Sequence, residues 1–239
     1  MITEKRFAAS HHAFWRELLP MGERYIRAVN AGLARFCEPL TGTAAPKFHG
    51  VLSELAFLMF VRAVQNGKQM SALTPSEVQE DVSAATSFIE RFRKQGRGPL
   101  AIPRDTEIRE ATALAERMAD FFQKAADGPL LLQPTFPGCG WLSECQGDVF
   151  SSNVLFELKS GTRPFRMLDI KQVLIYCALD FSRNVYDIKD ICLVNPRTGS
   201  YFSVPINSLC ELVAGRSSVD VLGDIVEYAS DTAGEYRTG

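Results

Sequence analysis

A chain of 239 residues with 46% hydrophobic and 23% charged residues can bury a sizeable core and has the balance of an ordinary globular protein. Its net charge of -2 gives no sign of a surface that is basic all over, yet leaves room for a local basic cleft. Six cysteines without a CxxC pair, and only three histidines, exclude a zinc ribbon or a clustered Cys/His metal site.

The N-terminal stretch "MITEKRFAASHHAFW" has no apolar h-region, and the most apolar run, "VLSELAFLMFVRAV", is interrupted by Glu54 and Arg62 well short of a membrane span. The chain therefore reads as cytoplasmic, with no membrane association and with reduced, mostly buried thiols. Apolar spacing predicts helices over 10–19, 21–37 and 46–65. A further helix begins at "TPSEV", where Thr74 can cap, Pro75 suits the first turn and Glu77 completes a capping box. It ends near Gly96, and another runs from about Asp105 to Ala126. Residues 74–127 thus read as a helical hairpin joined by a Gly/Pro linker.

From Pro129 the period changes. "LLLQPTF", "GWLSECQGDVF" and "NVLFELKS" are short strand-like runs separated by turn residues. Residues 166–181 return to helical spacing. "DICLVNP" and "SYFSVPI" then read as strands flanking a "PRTG" turn, followed by two short helices and a loose tail over the last ten residues. The expected division is a helical region over 1–128 and a mixed α/β core over 129–239.

Strand alternation gives "NVLFELKSG" an unusual feature. Leu155, Glu157 and Lys159 share one face, while Val154, Phe156 and Leu158 share the other. Charges on one side of a core strand must satisfy each other, reach solvent in a cleft, or hold a metal ion and a substrate. Asp148 follows Gly147 at the end of the preceding strand, and Gln172 and Tyr176 lie at i and i+4 on the next helix.

Together "GDVF", "FELKSG" and "QVLIY" resemble the PD-(D/E)xK nuclease superfamily, restriction-endonuclease-like in fold, and within it the RecB-like branch with a QxxxY helix motif. The implied core is a helix, three strands, a helix and a further strand, matching 46–65 and 131–195 with 74–127 as an insertion. A mixed sheet flanked by helices is expected, with residues 1–45 outside the resemblance. No Pro precedes Asp148, and no C-terminal cysteine cluster is present of the kind that holds an iron–sulfur cluster in some relatives.

The resemblance implies that Asp148, Glu157 and the backbone carbonyl of Leu158 hold Mg²⁺, with Mn²⁺ able to substitute, for hydrolysis of a phosphodiester bond. Lys159 would hold the attacking water or stabilise charge on the phosphate, with Gln172 and Tyr176 positioning it. Glu54, a carboxylate in an apolar helix, is a candidate further ligand or part of a solvated stripe with Lys47, Arg62 and Gln65. The basic run Arg91, Arg93, Lys94 and Arg97 can touch a nucleic-acid backbone or merely favour a helix C-terminus.

No GxSxG elbow, phosphate loop or complete GxGxxG occurs, so neither a nucleotide cofactor nor an intrinsic NTP motor is expected. The sequence thus points to a divalent-metal-dependent nuclease, with DNA favoured over RNA, in repair, restriction or anti-phage defence. A separate ATPase, helicase or sensor is the implied partner. The alternative is a catalytically inactive member of the fold serving as a binding or assembly subunit.

Overall fold

The computed structural model describes residues 1–42, 44–91 and 102–231. A six-stranded mixed sheet separates two layers of helices. In chain order the elements are α1 (Glu4–Ala9), α2 (His12–Leu18), α3 (Gly22–Ala31), β1 (Ala34–Arg35), α4 (His49–Gln65), α5 (Pro75–Arg91) and α6 (Asp105–Ala125). They continue with β2 (Leu131–Leu132), β3 (Thr135–Phe136), β4 (Cys145–Gln146), β5 (Val149–Ser151), β6 (Val154–Leu158), α7 (Met167–Arg183), β7 (Asp190–Asn195), β8 (Ser200–Pro205), α8 (Ile206–Ala214) and α9 (Ser218–Ser230).

The sheet order is β1-β8-β7-β6-β5-β2, with β6 and β7 parallel and the other pairs antiparallel. The crossover between the parallel pair is α7, as a parallel connection requires. Alternation divides the strand residues between two cores. Leu155, Ile191, Leu193 and Val204 pack with α1, α2, α3, α7, α8 and α9, while Val149, Phe156, Cys192 and Val194 pack with α4, α5 and α6. Strand β7, buried on both faces, is correspondingly apolar throughout "ICLV".

Several boundaries differ from the sequence reading. The helix expected over 10–19 is α2, which starts only after His11, whose backbone is left-handed (φ 52°), and a separate helix that the sequence reading did not include, α1, precedes it, capped where the Thr3 hydroxyl accepts the Arg6 N–H. The helix expected over 21–37 stops at Ala31. Ala34 and Arg35 instead add an edge strand to β8, and Phe36 N–H continues to the Gly199 carbonyl. Position 199 requires glycine: its φ is +65° and an added Cβ would lie 2.0 Å from the Cys37 carbonyl oxygen. The run "LLLQPTF" splits at Gln133 (φ 53°), so β2 joins the main sheet while β3 pairs with β4 in a separate ribbon.

The capping box at the start of α5 forms as its sequence predicts, with Glu77 Oε2 accepting the Thr74 N–H at 2.7 Å and Thr74 Oγ1 accepting the Glu77 N–H at 3.3 Å. In the stretch expected as a hairpin, α5 and α6 each lean on α4. Arg62 of α4 forms a forked pair with Asp81 of α5, and Phe60 of α4 stacks 5.3 Å from Phe122 of α6. Residues 1–45 are not a layer apart, since α1 to α3 belong to one core and β1 to the sheet. The expected tail begins as α9 ends at Ser230, and 232–239 lie outside the described residues. All six cysteines are free thiols, four of them buried. Among the described residues no helix is long and apolar enough to cross a membrane.

Candidate active site

The site is built by a two-residue hairpin. Ser152 and Asn153 both take positive φ (47° and 66°), which matches the twist of the flanking strands and fixes the register Ser151↔Val154, Phe150↔Leu155, Val149↔Phe156. Continuing that register one step sets Asp148 opposite Glu157, on the face shared with Leu155 and covered by α7. Two carboxylates facing across a hairpin repel each other, an arrangement that stability alone does not favour. Gly147 lets the chain pass closely here: an added Cβ would sit 3.2 Å from both Leu155 Cδ1 and Phe136 Cε2.

Asp148 Oδ2 accepts the Leu158 N–H at 2.6 Å. Because Lys159 N–H donates to Val194 on β7, the backbone of residue 158 faces the other way, toward β5. N–H and C=O of one strand residue point to the same side, so the Leu158 carbonyl is directed toward Asp148. On the α7 side a continuous chain of hydrogen bonds runs outward from Glu157. Lys159 Nζ donates to Glu157 Oε1 and to Gln172 Oε1, both at 2.7 Å, and Gln172 Nε2 donates to Tyr176 OH at 2.7 Å. Tyr176 is fully buried and stacks 5.1 Å from Phe136 of the β3–β4 ribbon.

Burial and charge set the protonation states. Asp148 is pushed up to about 7 by burial and by the charge of Glu157, with Lys159 opposing. Burial pulls the Lys159 pKa down, but Glu157, Asp148 and Asp169 together raise it further, so Lys159 stays an ammonium. The Tyr176 phenol is held well above its ordinary range by burial and by the charges of Glu157, Glu4 and Asp148. Glu157 Oε2 is buried and has no hydrogen-bond partner among the described residues.

The sign of the Asp148 shift makes a stability prediction. Between its ordinary range near 4 and its folded value near 7, the native state holds a proton that the unfolded chain has released, so stability falls as pH rises through that window. A shift of this size at full burial is worth about 4 kcal/mol, reduced by solvent reach at this half-buried carboxylate to about 1–3 kcal/mol. Asp148→Asn, measured by denaturant unfolding without divalent ions, is expected to exceed the unmodified protein in stability at pH 8. The difference should close toward pH 4; an equal difference at both would show that Asp148 carries no ionisation penalty.

Sequence reasoning did not find Asp169 and Arg163. Asp169 accepts the Arg166 N–H at the start of α7, takes a forked pair from Arg163 at 2.7 and 2.8 Å, and lies 3.9 Å from Lys159 Nζ. Burial would raise the pKa of Asp169, but the Arg163 hydrogen bond, Lys159 and the Arg166 N–H outweigh it and hold the group low. The only signal in "RPFRMLDIKQ" was an acid in the first helical turn. The turn after Lys159 is clamped from the β7–β8 connection, where Arg197 Nε donates to the Ser160 carbonyl and Asn195 Nδ2 to the Gly161 carbonyl, both at 2.8 Å. Helix α1 also borders the site, since the charge of Lys5 lowers the pKa of both Asp148 and Glu54.

Asp148, Glu157, Leu158, Lys159, Gln172 and Tyr176 are therefore brought together. No hydrogen bond or ion pair among the described residues links Glu54 to them: it is half-buried on α4, its pKa raised by burial against the pull of Lys5 and Arg91. Among the described residues, no three His, Cys, Asp or Glu side chains converge as a ready metal cage. Arg91 is exposed, its guanidinium 5.4 Å from the Phe88 ring centroid, whereas Arg93, Lys94 and Arg97 lie outside the described residues. No protein-family model matches the chain, and no curated protein matches it.

Proposed function

We propose that this chain is a divalent-metal-dependent nuclease of the PD-(D/E)xK type, hydrolysing phosphodiester bonds in DNA by preference. The observation that carries the reading is the pair of facing carboxylates, one with a buried unpartnered oxygen, beside an ammonium held by Glu157 and Gln172. Support also comes from the chain order α4, strands through β6, α7, β7, which agrees with the core that the motif implies.

The donor set fits a hard cation such as Mg²⁺ or Mn²⁺: Glu157 Oε2 lacks a partner, Asp148 carries a charge disfavoured by burial and by Glu157 that a cation would offset, and the Leu158 carbonyl faces the same side. Asp148, Glu157 and that carbonyl would hold the ion, which when bound supplies charge neutralisation of the phosphate and a more acidic water. Lys159 presents a fixed ammonium toward the same space and stabilises negative charge developing on the phosphate or orients the attacking water. Gln172 fixes the Lys159 amine, and Tyr176 fixes Gln172 from the core. Glu157 and Asp148, with Asp169 adding to them, keep Lys159 protonated, while Arg163 neutralises Asp169. Lys159, its side chain 17% exposed against 5% for Glu157, is, like Asp148 and Leu158, only partly buried.

The test is incubation of the purified protein with linear and circular DNA and with RNA, with and without Mg²⁺ or Mn²⁺. Metal-dependent cleavage is expected, abolished by chelation. Retention of DNA without cleavage under any of these conditions would instead support the inactive binding subunit.

A further inference from the structure

We infer that the groove between α1, α3 and the start of α7 binds the phosphate backbone of the nucleic-acid strand that leads to Asp148, Glu157 and Lys159. This extends the nuclease reading and rests on it for the direction of the strand. The groove has a volume of about 520 Å³ and draws its lining from elements far apart in sequence, none of them in the Arg91 to Arg97 run.

Its charge is lopsided. Arg27 of α3, Arg166 before α7 and Lys171 of α7 line it together with His12, against the single acid Glu23. Among the described residues none of these three side chains is engaged in an ion pair, although burial lowers the Lys171 pKa and the charge of Glu23 opposes that. In a chain of net charge -2, two guanidiniums and an ammonium in one concavity, opposed among its lining only by Glu23, are a local positive field suited to a polyanion. The larger cavity, about 910 Å³ beside α1 and α9, offers no such field, because Arg6 and Arg216 there are outnumbered by Glu17, Asp224, Glu227 and Asp231.

The groove is also tied to the reaction centre. Asp169 binds the Arg166 N–H through Oδ2 at 2.8 Å, and its Oδ1 lies 3.9 Å from Lys159 Nζ, so one carboxylate spans from the groove's edge to the site. Asn30 of α3 holds the wall by two bonds to Phe165, its amide donating to the carbonyl at 2.8 Å and its oxygen accepting the N–H at 3.1 Å. The Lys171 ammonium lies 5.5 Å from the Trp15 ring centroid, which limits its wandering and leaves its donors for an incoming oxyanion. Leu168 on the same wall is 39% exposed and gives the groove an apolar strip beside the cations.

The experiment is fluorescence anisotropy in the absence of divalent ions, with labelled single-stranded and duplex DNA and RNA, over a range of salt. The comparison is between the unmodified chain, the triple variant Arg27→Ala/Arg166→Ala/Lys171→Ala, and the charge-retaining Arg27→Lys/Arg166→Lys. The triple variant should flatten the slope of log affinity against log salt by about 2–3 on duplex and about 2 on single strands, while the charge-retaining variant keeps it. An unchanged slope in a triple variant that melts like the unmodified chain overturns the inference, as does failure of the unmodified chain to bind any of these probes at low salt. Cleavage with Mg²⁺ separates the two readings. Groove-dependent binding without cleavage leaves the groove standing and removes the nuclease, whereas cleavage with groove-independent binding does the reverse.

Discussion

Lys159→Ala is expected to lower the cleavage rate by at least ~10²-fold while divalent-ion binding survives. The magnitude is that of losing one preorganised electrostatic group aimed at developing charge. Here the group is fixed by two 2.7 Å hydrogen bonds, to Glu157 and to Gln172, and by the nearby charge of Asp169. Removing the ammonium takes a competing cation away from Glu157, so calorimetric titration with Mg²⁺ at pH 8 should show affinity retained or increased. Asp148→Asn should do the opposite, losing both ion binding and cleavage, because it deletes a charge and a hard oxygen donor. Gln172→Ala and Tyr176→Phe should slow the reaction less, since each acts through Lys159. Lys159→Ala also leaves Glu157 buried and uncompensated, so rates must be compared well below the unfolding transition. A variant with full activity per folded molecule but a lowered melting temperature would show that Lys159 is only the partner of Glu157.

What the sequence made legible follows from the range of the interactions. The faces of β6 were readable because a strand has a period of two, and they put Glu157 and Lys159 with Leu155, away from Val154, Phe156 and Leu158. Gln172 and Tyr176 were readable as an i, i+4 pair, and their hydrogen bond is local. The opposition of Asp148 and Glu157 depends on a two-residue turn at Ser152–Asn153, visible as a turn signal but not as a register until the φ values are known. β1 was hidden for another reason. Two residues carry no periodicity, and Ala34–Arg35 is a strand only because β8 offers an open edge. The break at His11 is likewise enforced from outside, since its ring stacks on Trp141 and bonds Tyr228, residues far along the chain. The groove cations were invisible for the same cause: Arg27 and Arg166 are far apart in sequence, and only the packing of α3 beside α7 makes them neighbours.

The least legible part of the site carries the largest expected effect on stability. Arg197→Ala should destabilise the protein by about 3–5 kcal/mol, the scale for breaking a buried ion pair by removing one partner, and lower the melting temperature by roughly 6–20 °C for a domain of this size. Arg197 and Glu110 are 87 residues apart, meet at 2.6 Å and have side chains only 4% and 5% exposed. Neither charge has water to fall back on. Glu110 also accepts the Ala44 N–H at 3.0 Å, and Arg197 Nε holds the Ser160 carbonyl at 2.8 Å, so the pair ties α6 and the chain before α4 to the turn that follows Lys159. Glu110→Ala should cost a similar amount by stranding the guanidinium, one of whose nitrogens, Nη2, already lacks a partner among the described residues. The double variant Glu110→Leu/Arg197→Met should then be less destabilised than the sum of the single changes, because no charge remains buried; the residual cost is the unpaired Ser160 carbonyl and Ala44 N–H. Urea unfolding of the four proteins measures that coupling. Single variants within about 1 kcal/mol of the unmodified protein would mean that the pair is reached by water and does not clamp the turn. If the clamp holds, Arg197→Ala should also lose cleavage beyond its folded fraction, because the carbonyl it releases belongs to the residue next to Lys159.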